Sequence, residues 1–554
     1  MNKILPPVKG TYNLSNYQST YESFTWEHYL TELKQNKKIN AAYLTVDKHV
    51  EDGFGEKIAL HYVNGRIRSA YNFAEVKERI DLYVALLRRK GVKKGDRVFI
   101  FLPKNPACYF AILATIRIGA IAVPLFEGFM QEAVHQRIED CQGELLITDY
   151  QLGKRVDQAK LPSLKEIIFQ EDIDGLEIKP DPYVEWVDPD DPMLIHYTSG
   201  STGKPKGVVH AHRAFIHHFV SGNWVLDIKS SDVYWCTSHP GWVTGSVYGI
   251  FAPWLNRATI VIQSGRFDAA SWYDIIEQFK VTILYSAPTA FRLLKAKGDL
   301  YKNYDLSSLR HVLSVGEPLN PEVIFWADQQ LNLRIHDTWW MTETGGHLIV
   351  NLPAEKIKPG SMGRAFPGIT IAILDDDGEE LPRGEVGQLA IKAPWPGLMK
   401  AIWNNQAKYE QYFNYPGWYV SGDLAYQDQE GYIFFQGRQD DMINSQGERI
   451  GPFEVESSLI EHPAVEEAGV IGKPDPVRGE IVKAFITLKP GYFNTEELLE
   501  EIRLHVKKNL AAHAYPREIE VVDSLPKTKI SGKILRRELK QQEIEKLNYK
   551  TLSI

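Results

Sequence analysis

Up to about residue 370, apolar residues gather in short continuous runs separated by helix-like stretches. "DRVFIFL" (96–102) reads as a buried strand, and "YFAILATIRIGAIAVPLF" (109–126) as a buried helix feeding a second strand. Asn105 suits a helix N-cap, and Pro106 suits the first turn, where no amide partner is lost. Gly119 suits the helix end, after which "AIAVPLF" forms the strand. Strand, helix, strand at this spacing predicts a βαβ unit. The rhythm returns where "SWYDIIEQFK" precedes "TILYSA" and where "AFRLLKAKG" precedes "HVLSVG". Continuous apolar strands imply a parallel sheet covered on both faces.

Beyond residue 370 the pattern changes to short β-rich material, as in "TIAILDDDGEELPRGEVGQLAIK". "GYIFFQGRQDDMINSQGERIGPFEVE" then alternates apolar and polar positions across a charged turn, and "EAGVIGKPD" with "EELLEEIRLHVKKNL" suggests a small α+β unit. The predicted organisation is a large domain over residues 1–438, a junction at 439–441 centred on Asp440 and Asp441, and a small domain over 442–554. The fold class is α/β, a large multi-sheet N-terminal domain with parallel βα sheets plus a small α+β C-terminal domain.

Length agrees, because 554 residues exceed what one core organises. Acidic residues outnumber basic ones, 71 to 63, so nothing in the charge balance suits a nucleic-acid binder. The longest apolar run carries Arg117, Gly119 and Pro124, which argues against a membrane span. Cys108, Cys141 and Cys236 are scattered and form no CxxC, so neither a disulfide framework nor a zinc site is expected. With no apolar signal core at the N-terminus, a reducing, cytoplasmic compartment is the expectation. His210, His212, His217 and His218 lack the acidic or thiol companions of a zinc site and read as helix or loop histidines.

The strongest local chemistry is "HYTSGSTGKPKGVVHAH" (196–212). From Thr198 through Ser199, Gly200, Ser201, Thr202, Gly203 and Lys204 to Lys206 the residues are small, hydroxylated or cationic apart from Pro205. Freed backbone amides, hydroxyls and ammonium groups suit phosphate oxygens. The glycine spacing and Pro205 after Lys204 exclude a Walker A loop.

The string S-G-S-T-G-x-P-K-G resembles the signature of the adenylate-forming superfamily, which includes acyl-CoA synthetases, luciferases and peptide-synthetase adenylation domains. "DTWWMTETGG" (337–346), "YVSGDLA" (419–425), "GRQDDMINSQGERIGPFEVE" (437–456) and "SGKILRR" (531–537) resemble its further motifs, in the family's order. "SHPGWVTGSVYGIFAPW" and "LSVGEPLNPE", with "HDTWWMTETGG", are most similar to acetyl-CoA synthetases within it.

The resemblance implies ATP, Mg²⁺ and coenzyme A as cofactors and substrates, and acetate as the acid, with propionate or another short acid as the alternative and an inactive nucleotide-binding relative as the remote one. It implies that Gly316, Glu317 and Pro318 wall the adenine, that Asp337 binds its amino group, and that Thr338, Trp339, Trp340 and Met341 line the nucleotide site. Thr342 is expected at the α-phosphate, Glu343 at Mg²⁺, Asp423 and Arg438 at the ribose, and Arg449 at the phosphate. Val243, Thr244, Val315 and Trp340 are expected to line the acyl slot, which a bulky indole keeps short. Lys533 is the expected adenylation residue, carried by a small mobile domain that turns about Asp440. Gln446 and Gly447, with Thr244, would then face the pantetheine, and Lys507 a coenzyme A phosphate. A second cation on backbone carbonyls of Ile460, His462 and Val465 is also implied. Lys533 is also a candidate target for a lysine acetyltransferase and deacetylase, since acetylation removes its charge. No nucleic-acid or membrane partner is expected.

One feature departs from the family pattern. Both Lys529 and Ile530 stand between Thr528 and Ser531, one residue more than usual, while "SGKILRR" keeps its register.

Overall fold

The computed structural model describes residues 4–36, 38–173, 175–199, 205–445, 448–475, 479–510, 514–527 and 534–552. Asn105 accepts from the Cys108 amide at 3.1 Å and starts the helix Pro106–Arg117. Gly119, at φ +72°, ends it, and the strand Ile121–Pro124 follows. That strand runs parallel to Arg97–Phe101, with Arg97 opposite Ile121, as the βαβ reading requires. Among the described residues no helix is long and apolar enough to cross a membrane.

Three sheets build the large domain. A nine-stranded sheet has a parallel centre formed by His311–Ser314, Ile283–Ser286, Val233–Cys236 and Thr259–Gln263, flanked by Ile335–Trp339 and Ile58–Asn64. A seven-stranded sheet holds Arg97–Phe101 and Ile121–Pro124, and continues into the antiparallel hairpin Pro192–Ser199 and Pro205–Ala211. A four-stranded antiparallel sheet, ending in Trp418–Gln427 and Ile433–Arg438, supplies the β-rich part. One apolar cluster joins the strands of the first two sheets to the buried helix between them.

Past the short 3-10 turn Gln439–Asp441, a separate five-stranded sheet forms the small C-terminal domain with its own core around Ile443, Val455, Val470 and Ile502. The helix Pro452–Ile460 packs on the strand Val465–Asp475. The flanks of segment 528–533 are tied together: Lys527 bridges Ile534, the Leu535 amide donates to the Pro526 carbonyl at 2.8 Å, and the Lys527 ammonium pairs with Glu467 at 2.5 Å. Arg536 then anchors the start of the last helix through a forked pair with buried Glu456, 2.5 and 2.8 Å.

Candidate active site

The stretch Asp337–Gly346 runs off the C-terminal end of Ile335–Trp339 and supplies two walls of one cleft. Thr344 shapes its turn: its hydroxyl accepts from the Met341 amide at 2.8 Å, and the Gly345 amide donates back to the Met341 carbonyl. Gly345 sits at φ +69°, where a Cβ would fall 1.9 Å from the Gly397 carbonyl oxygen, so only glycine closes this turn.

The first wall is aromatic. Trp340 is 7% exposed, donates from its indole to the Tyr285 hydroxyl at 3.2 Å, and meets the Tyr248 ring edge-on at 5.0 Å. Tyr248 stacks on His347 at 4.0 Å, and the Tyr285 hydroxyl contacts both His347 and Thr338 at 2.8 Å. Val315 is buried in the same cluster and Val243 packs against it. The indole N–H is therefore satisfied, which with the ring contacts fixes the plane of the side chain. Thr244 sits on the adjacent short helix Val243–Ser246, and its carbonyl receives the Cys236 thiol at 3.9 Å.

The second wall is ionic. The Lys206 ammonium lies 2.6 Å from the Glu343 carboxylate, and the Tyr412 hydroxyl contacts Lys206 and donates to the same carboxylate oxygen at 3.0 Å. Burial works against the charged form of Glu343, but Lys206 outweighs it and holds the carboxyl below its usual range. Burial beside that charge pushes the Tyr412 phenol up, so it remains a donor. Thr342, half-buried, shares the turn. Across the hairpin, the Thr198 hydroxyl oxygen is buried with no hydrogen-bond partner among the described residues.

The nucleoside side is built from strand ends. Asp337 is buried, one carboxylate oxygen lacks a partner, and desolvation pushes its carboxyl well up. An exocyclic amino group would satisfy that oxygen. Gly316 lies at φ +90°, with open space where a Cβ would stand, so its backbone is free to approach a flat ring. The Glu317 side chain turns the other way, to Thr289 at 2.8 Å and Arg292 at 2.9 Å, leaving the wall to the backbone of Gly316–Pro318. Asp423 faces Arg438 across two antiparallel strands, accepts from the Trp339 indole at 2.8 Å, and pairs with Arg438 at 3.2 Å. Met341 contributes its sulfur to the Tyr419 hydroxyl at 3.7 Å.

Thus Thr198, Lys206, Val243, Thr244, Val315, Gly316, Asp337–Glu343, Asp423 and Arg438 come together. Lys533, Gln446, Gly447 and Gly200–Lys204 lie outside the described residues, and nothing is described of the side chains of Ser199 and Arg449. Asp440 occupies the turn between the domains, and its charge acts on Arg438. Lys507 is exposed in the last turn of Glu496–Asn509, 5.5 Å from the Tyr515 ring. Ile460 ends the helix Pro452–Ile460, the His462 carbonyl accepts from the Val465 amide at 3.1 Å, and the His462 ring faces Glu501 at 3.5 Å.

Of the four histidines, His210 lies on a strand rather than a helix or loop. His217 and His218 sit on the helix Ala214–Trp224 and reach the carbonyls of His347 and Gly345, so they brace the motif from behind. The three cysteines are buried and unpaired. The sequence reading missed Tyr412, Tyr285, Tyr248 and His347; a Tyr or His amid aromatic-rich strands carries no local signal of what it will contact across the fold.

An antiparallel hairpin, an ionic cluster around Glu343, an aromatic cluster around Trp340 and the Asp423–Arg438 pair are the site's parts. The description "AMP-binding enzyme" matches residues 47–403, and "AMP-binding enzyme C-terminal domain" matches 454–533; the chain belongs to this family. Among its relatives, an acetyl-coenzyme A synthetase of Bacillus subtilis (strain 168) is 54% identical, over 98% of this chain and 97% of that one. That of Methanothrix thermoacetophila is 38% identical over 92% and 84%. Among solved structures, an anthranilate CoA ligase in complex with anthranoyl-AMP superposes with a TM-score of 0.84 at 29% identity, covering 92% of this chain and 98% of that one.

Proposed function

We propose that the protein is an AMP-forming acetate–CoA ligase. The observation that carries the choice of acid is the Trp340 end-stop, locked by Tyr285, Tyr248 and His347. It leaves room for few heavy atoms, and the 54% identity to an acetyl-coenzyme A synthetase supports the same reading.

In the first half-reaction an acetate oxygen attacks the α-phosphorus of ATP, the bond to the β-phosphate bridging oxygen breaks, and pyrophosphate leaves. Two anions meet, so neutralisation and alignment are the main demands. Asp337 and the Gly316 backbone orient the adenine, and Asp423 with Arg438 the ribose. Lys206, released from Glu343, and Thr198 receive phosphate oxygens with the loop Ser199–Lys204, and Arg449 adds a guanidinium. Thr342 contacts the α-phosphate, and Lys533 bridges it to the attacking carboxylate. Glu343, a buried carboxylate kept ionised, fits Mg²⁺, which when bound supplies positive charge to the phosphate oxygens. In the second half-reaction the coenzyme A thiol loses its proton, its sulfur bonds the acetyl carbon, and the bond to AMP breaks. The small domain turns about Asp440 between the two, bringing Gln446 and Gly447 to the pantetheine and Lys507 towards a coenzyme A phosphate. The backbone carbonyls of Ile460, His462 and Val465 remain a candidate second cation site.

We place the enzyme in the cytoplasm and Lys533 under acetylation control: an acetylated lysine can no longer bridge two anions. Product analysis tests the reaction. Acetate, ATP and coenzyme A should give acetyl-CoA with AMP and pyrophosphate; ADP and phosphate in their place overturn the proposal.

A further inference from the structure

The helix Pro321–Trp326 begins at Asn320, a residue type that normally caps the first amides of a helix. Here its side chain makes no cap bond. Its amide nitrogen instead donates to the Ser457 hydroxyl at 3.1 Å, in the helix Pro452–Ile460 of the small domain. Its amide oxygen accepts from Arg292 at 3.4 Å, and Arg292 donates to Glu317 at 2.9 Å. Glu317 follows Gly316, whose backbone forms the wall facing the adenine space. A hydrogen-bonded chain therefore runs from that wall through Arg292 and Asn320 to the small domain.

Position sets this link apart from the other contacts at the junction. Phe435 meets Phe453 at 5.8 Å, and a Cβ on Gly451 would fall 2.1 Å from the Gln436 carbonyl oxygen. Both lie close to the turn Gln439–Asp441 in sequence. Asn320 lies far from that turn in sequence, is 5% exposed, and reaches Ser457, one to two turns into the helix Pro452–Ile460. The oxygen that would cap the helix is taken by Arg292, and the nitrogen is left to make the bond between the domains.

We propose that Asn320 and Ser457 are positioning residues: a latch that holds the small domain against the adenine wall in one of its two orientations and opens in the other. The inference rests on the two-step reaction proposed above. Neither residue touches substrate in that scheme, so losing the latch should unbalance the two half-reactions rather than abolish either.

Ser457→Ala removes the acceptor and leaves the large domain intact. Acetate-dependent exchange of pyrophosphate into ATP reports adenylation, and acetyl-CoA formation from supplied acetyl-AMP reports the second step. The ratio of the two rates should move by about threefold to tenfold from wild type. Ser457→Thr, which keeps the hydroxyl, should restore it, and melting curves control for the fold. Two rates that stay unchanged, or fall by one common factor, overturn the latch. Wild-type protein that shows no acetate-dependent exchange overturns the reaction instead. Deuterium uptake across 439–441 then decides the latch alone: it should rise in Ser457→Ala, and equal uptake in both proteins overturns it.

Discussion

Trp340 and Glu343 stand three residues apart in "WWMTETGG", yet they work by opposite physics. Trp340 is held by shape: a satisfied indole among Tyr248, Tyr285 and His347. Glu343 is held by charge: a buried carboxylate stabilised by Lys206 and Tyr412. One turn, fixed by Thr344 and Gly345, lets a single motif join an aromatic cluster and an ionic one, and the proposed function gives the first the choice of acid and the second the phosphate chemistry. Specificity and catalysis are thereby separable, and each can be attacked alone.

The largest effect is expected on the charged side. Lys533→Ala should slow adenylation by roughly 10²–10³-fold or more while thioester formation from supplied acetyl-AMP largely survives; single-turnover rates for both halves check this, and equal damage to both would remove Lys533 from its role. Glu343→Gln comes next. It leaves the Lys206 ammonium buried without its partner and removes the hard anionic oxygen, so adenylation should fall about 10²-fold with the acyl preference unchanged. A changed preference among acids would break the separation of the two walls.

Trp340→Ala should act the other way. It vacates the slot end, and the ratio of kcat/KM for butyrate over acetate should rise by about tenfold or more, since each methylene in such a pocket is worth ~1–3 kcal/mol. A general loss of stability would lower both values and leave their ratio unmoved.

The smallest effect per group concerns pH. Burial lowers His49, His210 and His217 to about 4, and His196, His212, His239 and His311 to about 3. Unfolded histidines titrate near ~6.5. Below that pH the unfolded chain binds protons that the folded protein excludes. The stability these groups contribute is therefore complete above about pH 6.5 and is lost as pH falls towards the folded values. Burial raises Asp47 to about 6, Glu454 to about 7, and Asp337 upward, and these carboxyls favour the folded state on acidification. Burial lowers His218, His336 and His347 as well and raises Glu127, so the histidines outnumber the carboxyls and set the sign. Urea unfolding midpoints should drop between pH 7 and pH 5, and a midpoint that rises would contradict the burial of these rings.

Much of the fold was legible because local signals agreed with the tertiary outcome. Asn105, Pro106 and Gly119 bound the buried helix as their chemistry requires, and the continuous apolar runs became parallel strands. The motif residues were legible through their resemblance to a family whose order they keep. The partners of those residues were not. Tyr412 holds Glu343 from 69 positions away, and Tyr248 meets Trp340 from a helix whose sequence asks only for burial. The forgone cap at Asn320 reads from sequence as an ordinary helix start, since its partners Arg292 and Ser457 reach it only through the tertiary fold.

The central claim is that a short acid is adenylated because Trp340 closes the slot. Pyrophosphate release measured with acetate, propionate, butyrate and octanoate under identical conditions tests it most directly. The account predicts fastest turnover on acetate, leakage to propionate within the ~1–3 kcal/mol that one methylene allows, and a steep fall beyond it. Fastest turnover on octanoate would contradict it.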